Sequence, residues 1–371
     1  MSTPAACTVG AGMSDRQDAL APRLHRIRSL DGLRAVSIVL VVFSHVALEW
    51  LGPTRGHALG TLGGLGVRIF FVISGFLITT LLLREQASTG TVSLAKFYAR
   101  RTVRIFPASY AYIAVVALLA WGGAVALRPH DLVFATTYTM SYAPSPSYWL
   151  GHLWSLSVEE QFYLVWPGVL ALGGLGRAER VAWAAVIGGP FLRGLWWAVF
   201  PDERLLIGRA FPTVVDALAM GCLCAFRSDW IAAARRLKPS SLWLIVIGLF
   251  LLVLIPQDHL PPLVRRPFRI VFDTMANTLI ASWLLGSVAA ESGLMHRILN
   301  NRPAMALGTV SYSLYLWQQL FTGFEHFGAG LAIAGSLLAA TLSYWLLERP
   351  LVALRLRLRP RSGAALGEGS L

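Results

Sequence analysis

Apolar runs alternate with short polar, mostly basic stretches along nearly the whole chain. The runs fall at about 33–51, 64–84, 107–127, 154–176, 180–200, 205–226, 241–256, 269–290, 304–326 and 328–347. Most are about as long as the 20 or so residues that a helix rising 1.5 Å per residue needs to cross roughly 30 Å of hydrocarbon. The pattern predicts an all-α, polytopic integral membrane bundle of about ten transmembrane helices. No fixed-period repeat and no paired, glycine- or proline-broken halves stand out. Residues 1–29 are polar and lack the apolar core and cleavage site of a signal peptide, so a disordered cytoplasmic leader is expected there. The transmembrane domain is expected over 30–350, with a basic cytoplasmic tail over 351–371.

Polar positions inside the apolar runs carry the chemistry. The first run is entered through Leu30-Asp31-Gly32-Leu33-Arg34 and holds His45 deep inside it. Eleven residues at about 100° each bring Arg34 and His45 to one helix face, about 16 Å apart along the axis. An ionisable group at that depth is expensive and marks a functional site with a partner to be found.

Composition agrees with the pattern. Hydrophobic residues make up 56% and charged residues only 14% of the 371, against about 25% charged in a soluble domain, and mean hydropathy is +0.60. The net charge of +13 would suit nucleic acid, but its placement gives another reason. With the N-terminus on the cytoplasmic side, 23 of the 32 Lys and Arg fall in cytoplasmic segments, as the positive-inside rule requires. Both termini are therefore expected in the cytoplasm, the basic residues partly attracting anionic lipid, with no nucleic-acid partner. Cys222 and Cys224 lie in an apolar run without a ligand cluster, so neither a metal site nor a disulfide framework is expected.

Five further groups stand out. Arg100, Arg101 and Arg104, in Phe97-Tyr-Ala-Arg-Arg-Thr-Val-Arg-Ile-Phe-Pro107, form a compact cationic face at the level of Arg34. They are either a topological anchor or a phosphate clamp, since arginine forks match phosphate oxygens. The glycine-rich second run permits close helix approach, and its Ser74 and Arg68 are candidates for a cavity wall. Trp154-Ser-Leu-Ser-Val-Glu159-Glu160-Gln-Phe-Tyr163 places two carboxylates in the outer part of a span, at a depth where either could orient His45 as a general base. Asp216, Asp273 and Asn277 read as interhelical hydrogen-bonding groups, and Glu348-Arg349-Pro350 as an ion-paired helix end.

Taken together, these blocks resemble the membrane-bound acyltransferase-3 family, which includes bacterial polysaccharide and macrolide O-acyltransferases. The matching blocks are Leu-Asp-Gly-Leu-Arg-x10-His (30–45), Gly-Val-Arg-Ile-Phe-Phe-Val-Ile-Ser-Gly-Phe-Leu-Ile (66–78), the 97–107 arginine block, Trp-Ser-Leu-Ser-Val-Glu-Glu-Gln-Phe-Tyr (154–163), Ser-Tyr-Ser-Leu-Tyr-Leu-Trp (311–317) and Glu-Arg-Pro (348–350). They occur in family order across nearly the whole chain. The resemblance implies transfer of an acyl group, usually acetyl, from cytoplasmic acyl-CoA to a hydroxyl of a saccharide acceptor. It implies essential roles for Arg34 and His45. Where many members have a histidine after Leu-Trp, this chain has Gln318, which keeps hydrogen bonding but not charge. It is the form expected to stand without the SGNH-type hydrolase domain of some relatives.

The expected mechanism has two layers in a multi-pass protein of the bacterial plasma membrane. Arg34, Arg100, Arg101 and Arg104 would bind the acyl-CoA phosphates. His45, oriented by Glu159 or Glu160, would take the acceptor proton, or would itself carry the acyl group. Ser74, Tyr163 or Gln318 would donate to the oxyanion. The acceptor is expected to be a cell-surface or lipid-linked saccharide. A macrolide, another secondary metabolite or a lipid is the alternative acceptor, and a proton-coupled small-solute transporter the alternative class.

Overall fold

The computed structural model describes residues 27–50, 52–255, 261–324 and 327–357. Most of the expected leader and tail lie outside them. The described chain is helical, with no strand. The long helices are α1 (Arg28–Trp50), α2 (Gly52–Thr89), α3 (Leu94–Trp121), α4 (Leu153–Val199), α5 (Phe211–Phe226), α6 (Pro239–Leu254), α7 (Pro262–Ala289), α8 (Arg302–Thr322) and α9 (Ala329–Ser343). A five-residue π turn, Tyr344–Glu348, joins α9 to α10 (Arg349–Arg357).

Local chemistry starts several of them. Ser93 caps α3 by accepting from the Lys96 amide, and Asn301 caps α8 by accepting from the Ala304 amide at 2.7 Å, each satisfying an amide that the first turn leaves without a partner. Prolines in the first turns of α5 and α8 cost nothing, because the amide they lack has no intrahelical partner there.

Among the described residues six helices are long and apolar enough to cross a membrane, or seven if the short helix Ser228–Ala234 and α6, bent at 109°, count as one span. Ten had been expected. The three remaining expected spans are the two limbs of α4, and α8. α4 runs as one element of 47 residues with a break at Gly174, whose φ of 70° lies in the left-handed region that side chains avoid. It is diluted by Glu159, Glu160, Gln161 and Arg193, and α8 by Gln318, Gln319 and its hydroxyl residues. The helices that fall short in apolarity are thus two that carry polar site groups.

α1 packs between α2 and α8, α2 against α5, and α5 against α4. The α2–α5 contact is a backbone approach. A Cβ on Gly75 would overlap the Leu218 carbonyl, and one on Gly221 the Val72 carbonyl, so small residues set this distance. Behind it lies a buried ionic network. Arg193 Nη1 donates to Asp216 Oδ2 at 3.0 Å and to the Thr213 carbonyl, its Nη2 to Thr274, and its Nε to the Ile270 carbonyl. Arg68 pairs with Asp273 at 2.6 Å. Arg68 therefore braces α2 against α7.

Candidate active site

Five helices and a turn converge on a narrow cavity of about 90 Å³. α1 contributes Arg34, α3 contributes Arg101 and Arg104, α4 contributes Glu159, and the π turn contributes Glu348. The hydroxyls of Ser74, Ser155, Tyr163, Tyr312 and Tyr315 complete the polar wall. Three guanidiniums face two carboxylates, so the wall keeps an excess of positive charge when all are ionised.

The positions of these groups follow from helix periodicity and local bonds. Arg101 lies over the ring of Tyr163 at 4.9 Å and that of Phe97 at 5.7 Å, a cation–π arrangement suited to a planar guanidinium. Glu159 accepts from Ser74 Oγ at 2.7 Å and from the Tyr163 hydroxyl at 3.4 Å. Arg34 is within electrostatic reach of Arg104, Asp31 and Glu159. Glu348 is buried and accepts from Ser313. A π turn, uncommon in itself, frequently marks a functional position. Here it turns a carboxylate into the bundle and leaves Arg349 stacked over Trp345 at 4.0 Å.

The expected cationic layer is only partly assembled. Arg34, Arg101 and Arg104 meet, whereas Arg100 turns away and bonds Glu85 Oε2 at 2.8 Å. The expected pairing of a glutamate with His45 is not among the described contacts. Glu159 instead faces the arginines, and Glu160, one residue round the helix, leaves its Oε1 buried without a hydrogen bond. Of the groups expected around an oxyanion, Ser74 and Tyr163 line this cavity and hold Glu159. Gln318 does not line it. It is fully buried farther along α8, and both amide atoms lack hydrogen-bond partners.

His45 lies three turns beyond Arg34 on α1. Its Nδ1 is 3.0 Å from the Val41 carbonyl. A carbonyl only accepts, so Nδ1 carries the proton and Nε2 presents a bare lone pair. Tyr148 meets the imidazole edge-on at 6.4 Å. Ser155 and Tyr315, hydrogen-bonded at 2.6 Å, stand at the cavity wall on this side. The 311–319 stretch is polar enough in sequence to border a cavity, and Ser311, Tyr312 and Tyr315 do line it, whereas Glu348 was missed as a cavity residue. His152, outside the cavity lining and just before the Trp-Ser-Leu-Ser block, was not singled out from sequence either.

Comparison with known proteins places the chain in a family. Residues 27–348 match the family described as "Acyltransferase domain". A Staphylococcus aureus (strain COL) protein named "Putative O-acetyltransferase" is 29% identical over 364 residues, covering 88% of this chain and 58% of that protein. The peptidoglycan O-acetyltransferase OatA of Listeria monocytogenes is 27% identical over 376 residues, covering 88% of this chain and 56% of its own length. The chain thus spans a little over half the length of these relatives. No solved structure matches it.

Proposed function

The chain belongs to the acyltransferase domain family, and from that premise we propose that it transfers an acetyl group from acyl-CoA to a hydroxyl of a cell-envelope saccharide. One observation carries this reading: Arg34, Arg101 and Arg104 line one cavity, while His45 sits on the same helix as Arg34 with its Nε2 free to act. Arginine forks suit the phosphates of the donor. The roughly 16 Å between Arg34 and His45 along α1 is a span for an extended pantetheine arm, which would pass Tyr315 and Ser155. His45 Nε2 then acts on the acyl carbonyl or on the acceptor hydroxyl. Ser74, Tyr163 and Gln318 remain the candidate donors to the oxyanion. Family membership and O-acetyltransferase relatives disfavour the transporter alternative, and peptidoglycan-modifying relatives favour a saccharide over a macrolide.

In this reading the Arg34 end faces the cytoplasm, where acyl-CoA is made, and both termini lie on that side of the bacterial plasma membrane. The test uses membranes containing the wild-type chain, His45→Ala or Arg101→Ala, each given radiolabelled acetyl-CoA and soluble saccharide acceptors. Label transfer by the wild type, loss in His45→Ala and a raised donor KM in Arg101→Ala are expected. Failure of the wild type to bind or turn over any acyl-CoA overturns the donor assignment.

A further inference from the structure

Beyond the cavity wall lies a second imidazole that no role above uses. His152 sits between the short helix Tyr148–Gly151 and α4, and is 5% exposed. Its Nε2 is 3.2 Å from the Leu316 carbonyl of α8. By the same reasoning as for His45, Nε2 carries the proton and Nδ1 holds the lone pair. That Nδ1 is buried and has no hydrogen-bond partner. Leaving a buried acceptor bare costs stability, so a purely structural imidazole at this position is a poor solution.

The surroundings tie His152 to the reaction path. The Tyr315 hydroxyl, at the cavity wall, donates to the His152 carbonyl at 2.8 Å. The Tyr315 and Tyr112 rings flank the imidazole at 5.5 and 5.3 Å. Tyr148, four residues before His152, is the ring that meets His45. The two imidazoles are within electrostatic reach of each other. Two carbonyls on two different helices thus fix opposite tautomers, leaving one basic nitrogen on each ring.

One base suffices for direct transfer, but not when the acyl group rides on His45. Resting on the acyl-transfer reading above, we propose that His152 is the second base, taking the acceptor proton while His45 carries the acyl group. In the first step His45 Nε2 attacks the thioester carbonyl, the C–S bond breaks and coenzyme A leaves as thiolate. His45 becomes an acyl-imidazolium, its Nδ1–H still donating to the Val41 carbonyl. In the second step the acceptor oxygen bonds the acyl carbon as its proton passes to His152 Nδ1. The C–N bond breaks and His45 returns neutral. The His152 proton then leaves to the thiolate or to water. The positive charge moves from one ring to the other, so the two neighbouring rings are never charged together.

Single-turnover experiments on the purified full chain test this, with radiolabelled acetyl-CoA and, as acceptor, a disaccharide of N-acetylglucosamine and N-acetylmuramic acid. The wild type should release one equivalent of coenzyme A from donor alone and become labelled. His152→Gln, whose amide can still donate to the Leu316 carbonyl, should keep this burst and the label but lose about 10²-fold or more in transfer. Free imidazole should restore part of the transfer in His152→Gly. The retained burst doubles as proof that the variant is folded. Wild-type transfer without any burst overturns the relay while leaving the acyltransferase reading intact. Wild-type rates in His152→Gln, or loss of the burst in both variants, overturn the role given to His152. Absence of any coenzyme A release by the wild type, with or without acceptor, sinks the underlying reading and this proposal with it.

Discussion

Two residues of the cavity make opposite demands on an anionic donor, which separates their roles experimentally. Arg101 is held by stacking on Tyr163 and Phe97, and a lysine ammonium reproduces neither the fork nor the stacking. Arg101→Lys is therefore expected to raise the donor KM almost as much as Arg101→Ala, by about tenfold or more, the loss of one charge-assisted contact worth about 1.5–3 kcal/mol. Glu159 faces the same guanidiniums. Glu159→Gln keeps an acceptor oxygen for one of the two hydroxyls, which donate to different carboxylate oxygens, but removes a negative charge beside the site proposed for the donor phosphates. Its donor KM should fall by roughly threefold to tenfold, as one opposing charge near a surface of intermediate dielectric would allow. A carboxylate serving His45 would instead show its loss in kcat, so initial-rate kinetics on this variant decide between the sequence expectation and the geometry. His152 belongs here too. Nothing in its spacing distinguishes it from a loop histidine, and only the Leu316 carbonyl and the empty coordination of Nδ1 single it out.

At the scale of elements, helix type and the Arg34–His45 face were legible because a 3.6-residue period carries them. What the period does not carry is which side of α3 meets the bundle. Arg100, Arg101 and Arg104 read as one face, yet Glu85 on α2 draws Arg100 out of it. Glu348 read as a helix end, because a π turn has no sequence signature to match the proline and glycine punctuation of caps. The glycine-rich second run did announce close packing, and Gly75 with Gly221 realises it. Gly221→Val would drive side-chain atoms into the Val72 carbonyl. Overpacking of this kind costs about 1–3 kcal/mol, which should show as a lowered unfolding midpoint in detergent. Because the cavity lies on the other face of α2, towards α1, α3 and α4, donor KM of the folded fraction should change little.

At the scale of the whole molecule, the charge that composition reports as a single sum resolves into three functions. Among the described residues, some basic groups lie between the long helices, three guanidiniums line the cavity, and Arg68 and Arg193 brace the interior. Asp216 and Asp273 were expected to bond between helices, but their arginine partners could not be matched from sequence. Arg193 is 20 or more residues from each of them, on a limb of α4 whose direction depends on the break at Gly174. The network joins α2, α4, α5 and α7, and it is nearly complete in hydrogen bonds, with Asp216 Oδ1 left bare. In such a site the pair itself adds little net stability, because desolvation offsets the attraction, whereas breaking it strands a buried charge. Arg193→Ala is therefore expected to cost about 3–5 kcal/mol. The double variant Arg193→Met, Asp216→Leu should recover most of that loss, since it removes both charges and refills the volume. Denaturant unfolding in micelles of the single and double variants measures the difference. Equal losses in the two would mean that the network serves the fold through its shape and backbone hydrogen bonds, and that the charge on Asp216 is of no consequence.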